Sequence, residues 1–216
     1  MYVEQIMSRE VDTATEDMKI SHVSRLMKEK GRRYLPVVDK DQRLIGMFGR
    51  KQLLQAEPSA ITTLSVGEVN YLTSKVTVGQ LMKRDPLSCP PGTLIETAGK
   101  MIREAKVACL PVVKDGRVVG IVSETDILDF FLDITGSTLP HSTRIAVRVP
   151  HRVRELANFL NVISDGGARI ASVVSPLAES EKNQRIVIVR YLEGDHDAIN
   201  SKLQTLGYEL VTEDAS

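Results

Sequence analysis

The chain has 216 residues, of which 42% are hydrophobic and 26% are charged, as is typical of a globular protein with a buried core. Basic and acidic residues both number 28, so the formal net charge is zero, and aromatic residues make up only 4%. This balance argues against binding to nucleic acid or to a membrane surface, because both usually require an excess of basic residues. No apolar run approaches the roughly 20 residues that span a bilayer.

The cysteines and the N-terminus both bear on where the protein is found. Cys89 and Cys109 are too few for a disulfide scaffold, and neither lies in a Cys-x-x-Cys pair. The first residues do not combine a basic segment with an apolar run, so the sequence predicts no secretory signal. We therefore expect reduced thiols and a cytoplasmic location.

The first part of the chain contains an internal repeat. Val3-Glu-Gln-Ile-Met7 recurs as Val78-Gly-Gln-Leu-Met82, and Tyr34-Leu-Pro-Val-Val38 recurs at the same offset as Cys109-Leu-Pro-Val-Val113. Two copies are too few for a solenoid and predict a pseudo-twofold pair of domains. The predicted boundaries are residues 1–56 for the first repeat, 57–75 for a connecting segment and 76–135 for the second repeat.

Each repeat predicts the same order of elements, which is clearest in the second copy. Apolar residues at helical spacing predict a helix over residues 94–105, with Thr93 and Glu96 as its capping box. The Asp-Gly pair within residues 114–117 predicts a tight hairpin turn between strands 110–113 and 118–122. A second helix follows over residues 127–132. The first copy repeats this order.

The last part of the chain predicts a different domain over residues 142–216. Alternating and helical hydrophobic periods predict a strand over 143–149, a helix over 153–163, strands over 169–176 and 185–192, a helix from Asp195 to Leu206 and a strand over 208–212. Asp195 is the expected N-cap of the second helix. The order βαββαβ is typical of a ferredoxin-like fold, so the fold class is α+β.

The segment Gly120-Ile-Val-Ser123-Glu-Thr-Asp126 carries the candidate ligand site. A helix N-terminus attracts phosphate, the Ser123 hydroxyl can add a hydrogen bond to it, and the Asp126 carboxylate can accept ribose hydroxyls. The same Ser-x-x-Asp pattern is also an ordinary helix cap, and the two interpretations are compatible.

The first copy departs from this pattern. Gly49 has no hydroxyl and Gln52 has no carboxylate, which predicts one dominant nucleotide site in the pair. Arg50 and Lys51, or Arg32 and Arg33 before the first strand, could reach the phosphates of a ligand held by the second copy. The alternative is that all four are solvated surface cations.

The repeat resembles the CBS (cystathionine β-synthase) domain, two of which pack into a Bateman module. The resemblance implies an adenine nucleotide ligand (AMP, ADP or ATP), with NAD(H) or S-adenosylmethionine as further adenosine-containing candidates. It implies that residues 86–89, including Ser88 and Cys89, lie around the adenine together with Ala108, Cys109, Leu110 and Pro111. Ser123, Thr125 and Asp126 complete the implied site, and the family role of Asp126 is to hold the ribose.

The C-terminal part resembles an ACT domain, a class that commonly binds amino acids and pairs through its sheets. His151 stands where that class usually has a glycine in the first turn, which places amino-acid binding in doubt. A CBS pair followed by an ACT domain resembles the bacterial acetoin-utilisation regulatory (AcuB-like) family. This implies a homodimer, formed through the CBS sheets or helices and the ACT sheet edge, that regulates an unidentified partner.

Catalysis is not expected. His22, His141, His151 and His196 form no HxH or HExxH pattern, and neither Gly-x-Ser-x-Gly nor a P-loop is present. We therefore expect no metal and no catalytic residue. The alternatives left open are a purely structural dimerisation protein with an empty cleft, an amino-acid sensor acting through the ACT-like domain, and an enzyme whose active site the sequence does not reveal.

Overall fold

The structure, a computed structural model, describes residues 1–56, 75–176 and 183–211. The chain divides into two compact units, Met1–Leu128 and Asp129–Ser216, with the boundary inside a helix. All but the last residue of the predicted connecting segment 57–75 lies outside the described residues, as does Thr212 of the last predicted strand.

Each repeat folds in the predicted order of helix, strand, hairpin, strand and helix. In the first repeat these are α1 (Ile20–Glu29), β1 (Tyr34–Val38), β2 (Leu44–Gly49) and α2 (Arg50–Ala56). The second repeat begins with α3 (Val78–Leu81) and β3 (Lys83–Arg84), followed by α4 (Ile95–Ala105), β4 (Cys109–Lys114), β5 (Arg117–Ser123) and α5 (Glu124–Ile134). Both hairpins are antiparallel, and their registers shift at equivalent positions, Val37/Val38 and Val112/Val113.

The predicted capping box of α4 is wrong. The helix begins at Ile95, with Leu94 in the N-cap position and no side-chain cap. Thr93 instead belongs to the preceding turn, where its carbonyl accepts a hydrogen bond from the Val3 amide at 2.8 Å. The residue that resembles a cap in the sequence is therefore used to hold the N-terminal segment.

The leading segment of the first repeat packs into the core of the second. Val3 and Met7 are buried among residues of α4, β4 and β5 and the loop before α4, namely Cys89, Ala98, Ile102, Leu110, Val112 and Val122. Backbone hydrogen bonds of 3.0 Å in both directions join Ser8 to Ile121 on β5. The second repeat therefore completes its core with residues of the first.

The exchange is reciprocal. Val78 and Met82, which lead the second repeat, are buried in the core of the first against Ala14, Ile20, Val23, Met27, Leu35, Val37 and Phe48. Strand β3 then pairs with β2, with Lys83 opposite Met47. Neither repeat has a complete core without the other, so the pair is expected to fold as one cooperative unit.

This packing explains a glycine shared by both repeats. A Cβ atom at Gly120 would lie 2.4 Å from the Met7 sulfur, and one at Gly46 would lie 2.5 Å from the Met82 sulfur. Each methionine therefore needs a residue without a side chain opposite it. The glycine of the candidate ligand motif serves packing, and it occurs equally in the repeat that lacks the serine and the aspartate.

The C-terminal unit has the predicted βαββαβ order. Its elements are β6 (Thr143–Pro150), α6 (Glu155–Asp165), β7 (Arg169–Val174), β8 (Gln184–Leu192), α7 (His196–Thr205) and β9 (Glu209–Leu210). The strands form one antiparallel sheet in the order β7-β8-β6-β9, over a core that contains Phe159 and Tyr191.

The ends of the two helices in this unit test the predicted caps. The Asp195 carboxylate accepts a hydrogen bond from the Ala198 amide at 3.0 Å, which confirms the predicted cap of α7. Helix α6 begins two residues later than predicted, after Arg154 in a left-handed conformation, and Val153 is 90% exposed. Assignment of this unit to the ACT class stays a prediction.

Replacing Gly120 with alanine should destabilise the first unit by about 1–3 kcal/mol, because the new methyl group overlaps the Met7 sulfur in a packed core. Urea unfolding of the full chain measures this change. Gly92→Ala is the matched control, since a Cβ there would meet nothing within 4 Å. Equal stability of the two variants would show that Met7 can move aside without cost.

Candidate functional site

The start of helix α5 carries a reciprocal cap between Ser123 and Asp126. The Asp126 Oδ2 atom accepts hydrogen bonds from the Ser123 amide and the Ser123 hydroxyl, both at 2.6 Å. The Asp126 amide lies 3.3 Å from the Ser123 hydroxyl oxygen. The capping interpretation is therefore correct. The serine proton already has an acceptor, whereas Oδ1 of Asp126 has no hydrogen bond within the described part of the chain.

A cavity of about 280 Å³ opens beside this cap, between the two repeats. We call it the aspartate cleft, and its walls come from the loop before β1, the start of β4, the end of β5 and the start of α5. Its lining residues are Ser8, Gly31, Arg32, Arg33, Tyr34, Ala108, Cys109, Ile121, Ser123, Glu124, Thr125 and Asp126. The structure thus brings together seven of the residues expected from the sequence: Arg32, Arg33, Ala108, Cys109, Ser123, Thr125 and Asp126.

The two arginines of this cleft have different partners. The Arg33 guanidinium donates to the Thr125 hydroxyl at 3.3 Å, which links the first repeat to helix α5 of the second. Arg32 forms an ion pair with Asp12 at 2.8 Å. Arg33 is therefore the better placed of the two to meet an anion at the start of α5.

Five described residues that the sequence predicts at this site do not line the aspartate cleft. Cys89 is 1% exposed and packs in the core, and it exchanges backbone hydrogen bonds with β4 through Pro111 and Val113. Leu110 and Pro111 are buried, and Ser88 lies in the loop that leads to Cys89. Lys51 lines the other cleft of the pair.

The position of the loop over residues 86–89 has a physical cause. Residues Pro86 and Leu87 line the cleft that belongs to the first repeat, because the leading segments are exchanged between the repeats. The aspartate cleft receives Ser8 from the other leading segment in their place. Ser8 and Tyr34 were missed by the sequence reasoning. The repeat itself carries a signal for Tyr34, since Tyr34 is the counterpart of Cys109.

The second cleft shows why the first repeat lacks the serine and the aspartate. The side-chain Oε1 atom of Gln52 accepts a hydrogen bond from the Gly49 amide at 3.1 Å. Gln52 therefore caps the helix as a carboxylate would. A Cβ atom at Gly49 would lie 2.5 Å from the Tyr34 ring. The tyrosine therefore occupies the space that a serine would need, whereas the small Cys109 leaves the equivalent space open beside Ser123.

Comparison with known protein families agrees with this architecture. A sequence model of the CBS domain matches residues 3–59 and 78–133, which together make up more than half of the chain. The chain belongs to the CBS domain family. The matched ranges correspond to the two repeats, and residues 134–216 lie outside them.

MJ1225 and CBSX2 are two of the solved structures that resemble this CBS pair at more than 25% sequence identity. MJ1225 of Methanocaldococcus jannaschii superimposes with a TM-score of 0.54 at 28% identity, over 60% of this chain and 47% of that one. CBSX2 of Arabidopsis thaliana, solved in complex with AMP, superimposes with a TM-score of 0.52 at 27% identity, over 62% of this chain and 97% of that one.

Other relatives extend the range of proteins that carry this pair. AcuB of Vibrio cholerae, a candidate acetoin utilisation protein, shares the fold with a TM-score of 0.54 at 23% identity, over 64% of this chain and 95% of that one. Homoserine O-acetyltransferase of Methanohalobium evestigatum is 28% identical over 127 residues, which are 58% of this chain and 23% of the enzyme. This chain also spans only 46% of MJ1225 in the sequence alignment, so the CBS pair occurs within longer proteins.

Burial controls the chemistry of the cysteine in the aspartate cleft of the CBS pair. It raises the pKa of Cys109 to about 12, with Arg33 opposing this increase and Asp126 and Glu124 adding to it. Burial also raises the pKa of Cys89. Both thiols therefore stay protonated at neutral pH and are poor nucleophiles.

Two further features of the described residues concern metal binding and the membrane. No group of three metal-binding side chains converges among residues 1–56, 75–176 and 183–211. Within the same ranges, no helix combines the length and the hydropathy needed to cross a bilayer.

Native Cys109 should react slowly with iodoacetamide. With a pKa of about 12, about one thiol in ten thousand is ionised at pH 8, compared with about one in ten at the ordinary pKa of 9.0. A Cys89→Ala variant reports on Cys109 alone, and mass spectrometry should show labelling at least about a hundredfold slower in buffer than in urea. Rapid native labelling would contradict the protonated, buried thiol.

Proposed function

We propose that this protein is a non-catalytic regulator that binds one adenine nucleotide in the aspartate cleft of its CBS pair. The observation that carries the proposal is the position of Asp126 at the start of an 11-residue helix, with one carboxylate oxygen still available as an acceptor. The AMP complex of CBSX2 supports it, because that protein shares the fold at 27% identity.

The cleft offers complementary groups to the parts of a nucleotide. The available Asp126 oxygen accepts a ribose hydroxyl, and a hydrogen bond to a charged acceptor is stronger than one between neutral groups. Phosphate meets Arg33 and the N-terminal end of α5, whose partial positive charge favours anions. The half-buried Ala108 and the buried Cys109 provide an apolar surface for the base. Ser123 contributes chiefly by holding Asp126, since its proton is already donated.

The proposed regulation follows from the way the two repeats share this cleft. Arg33 belongs to the first repeat, whereas Asp126 and Thr125 belong to the second, so a ligand that contacts both favours one arrangement of the pair. A ligand changes a conformational equilibrium only through such differential affinity. The proposal extends to a cytoplasmic homodimer and an unidentified partner, with acetoin utilisation as a candidate pathway and an ACT-like C-terminal unit as a pairing surface.

Asp126→Asn should weaken AMP binding about 10- to 100-fold, because the amide can keep the cap but loses the charged acceptor for ribose. Isothermal titration calorimetry on the full chain measures the change. Asp115→Asn is the matched control: Asp115 lies in the exposed hairpin turn at a φ of 53°, which asparagine tolerates. Equal weakening of both variants would refute the ribose role of Asp126.

The same titration tests the asymmetry of the pair. Wild-type protein should bind close to one AMP per chain, because the Gly49–Gln52 half offers neither hydroxyl nor carboxylate. At about 100 times its dissociation constant, AMP should stabilise the fold by about 2.7 kcal/mol. Two equivalent AMP sites would refute the asymmetry. Absence of binding and of a thermal shift with AMP, ADP, ATP, NAD(H) and S-adenosylmethionine would favour the empty-cleft structural protein.

A further inference from the structure

The charges that line the aspartate cleft do not cancel once their partners are counted. The Arg32 guanidinium is neutralised by the Asp12 carboxylate, which lies 2.8 Å away. Among the described lining residues, Arg33 is then the remaining cation, and it is opposed by the two carboxylates of Glu124 and Asp126. The described lining therefore carries an excess of negative charge, although the cleft is expected to hold a phosphorylated ligand.

Glu124 is the carboxylate placed to act on the phosphates, because it is the first residue of helix α5. It lines the cleft. Burial is the main cause of the raised pKa of Cys109, and the Glu124 charge adds to it, so this carboxylate is within electrostatic reach of the cleft wall. No hydrogen bond or ion pair engages the Glu124 side chain within residues 1–56, 75–176 and 183–211. Its charge therefore acts undiminished on a ligand bound beside it.

The backbone at the start of α5 gives little compensation for this charge. The Glu124 amide donates to the Ala108 carbonyl oxygen at 3.0 Å, and the Asp126 amide lies 3.3 Å from the Ser123 hydroxyl oxygen. Amides that are already paired in this way are not available to a phosphate. Arg33 can meet one phosphate, whereas each further phosphate adds negative charge without a second unpaired cation in the described lining to receive it.

We propose that Glu124 determines the ligand class of the aspartate cleft, by admitting a nucleoside with a single phosphate and disfavouring the di- and triphosphates. This inference rests on the proposed function, since it concerns the ligand of the same cleft. An unpaired charge that meets like charge on the wrong ligand is a direct source of specificity. The cleft therefore responds to AMP in the presence of ATP.

Isothermal titration calorimetry of the full chain with AMP and with ATP, in buffer without divalent cations, tests this role. Wild-type protein should bind ATP at least about tenfold more weakly than AMP. Glu124→Gln should reduce that ratio of dissociation constants at least about threefold, because it removes one repelling charge and keeps the size of the side chain. Glu124 is exposed, so added salt should also narrow the wild-type ratio by screening.

Glu96→Gln is the matched control. Glu96 is an exposed carboxylate in the first turn of α4, which has 11 residues like α5, and it lies outside the aspartate cleft. Both variants lose a favourable charge at a helix N-terminus, so their melting temperatures should change equally. Only Glu124→Gln should change the ratio of the two affinities.

The outcomes separate this inference from the proposed function. Equal affinity of the wild type for AMP and ATP would overturn the role of Glu124 and leave the proposed function standing. A ratio that Glu124→Gln leaves unchanged, or that Glu96→Gln changes by the same factor, would also overturn it, because the shape of the cleft or the total charge would then discriminate. Absence of binding by both nucleotides would refute the proposed function and this inference together.

Discussion

The first unit depends on one kind of contact, in which a methionine from each repeat packs against a glycine of the other repeat. Met7 lies over Gly120 and Met82 over Gly46, with Val3 and Val78 buried beside them. Burial of each such side chain stabilises the fold by about 1.5–3 kcal/mol. Because the stabilisation is available only when both repeats are folded, it makes the pair one structural unit and positions the two clefts between the repeats.

The exchange gives the two clefts the same backbone frame, and a few side chains then determine what each cleft can bind. Both helices after the hairpins begin with a side-chain oxygen that accepts from the backbone amide three residues earlier, from Gln52 in one case and from Asp126 in the other. The cap is kept in both, so the fold is insensitive to the substitution. The substitution instead removes one negative charge from the cleft and leaves an amide donor where the aspartate has an available acceptor.

The sequence was sufficient to predict the repeat, the hairpins, the order of elements in both units and the cap of α7, because periodicity and turn chemistry are local signals. The sequence was misleading where the chain is exchanged. The resemblance placed residues 86–89 around the same adenine as residues 108–111, but Cys89 packs in the core and Leu87 lines the other cleft. Val153 fits a helical period, but the left-handed Arg154 delays the helix.

The same structure separates the parts of the motif that concern packing from those that concern ligands. Gly46 and Gly120 occupy equivalent positions with equivalent methionine contacts, so the glycine cannot indicate which repeat holds a nucleotide. The distinguishing pairs are Tyr34 with Cys109, Gly49 with Ser123, and Gln52 with Asp126. These pairs are coupled, because the Tyr34 ring fills the space of a serine side chain at residue 49. Recreating the second ribose site therefore requires a smaller residue at position 34 as well as serine at 49 and aspartate at 52, since serine at residue 49 alone would meet the tyrosine.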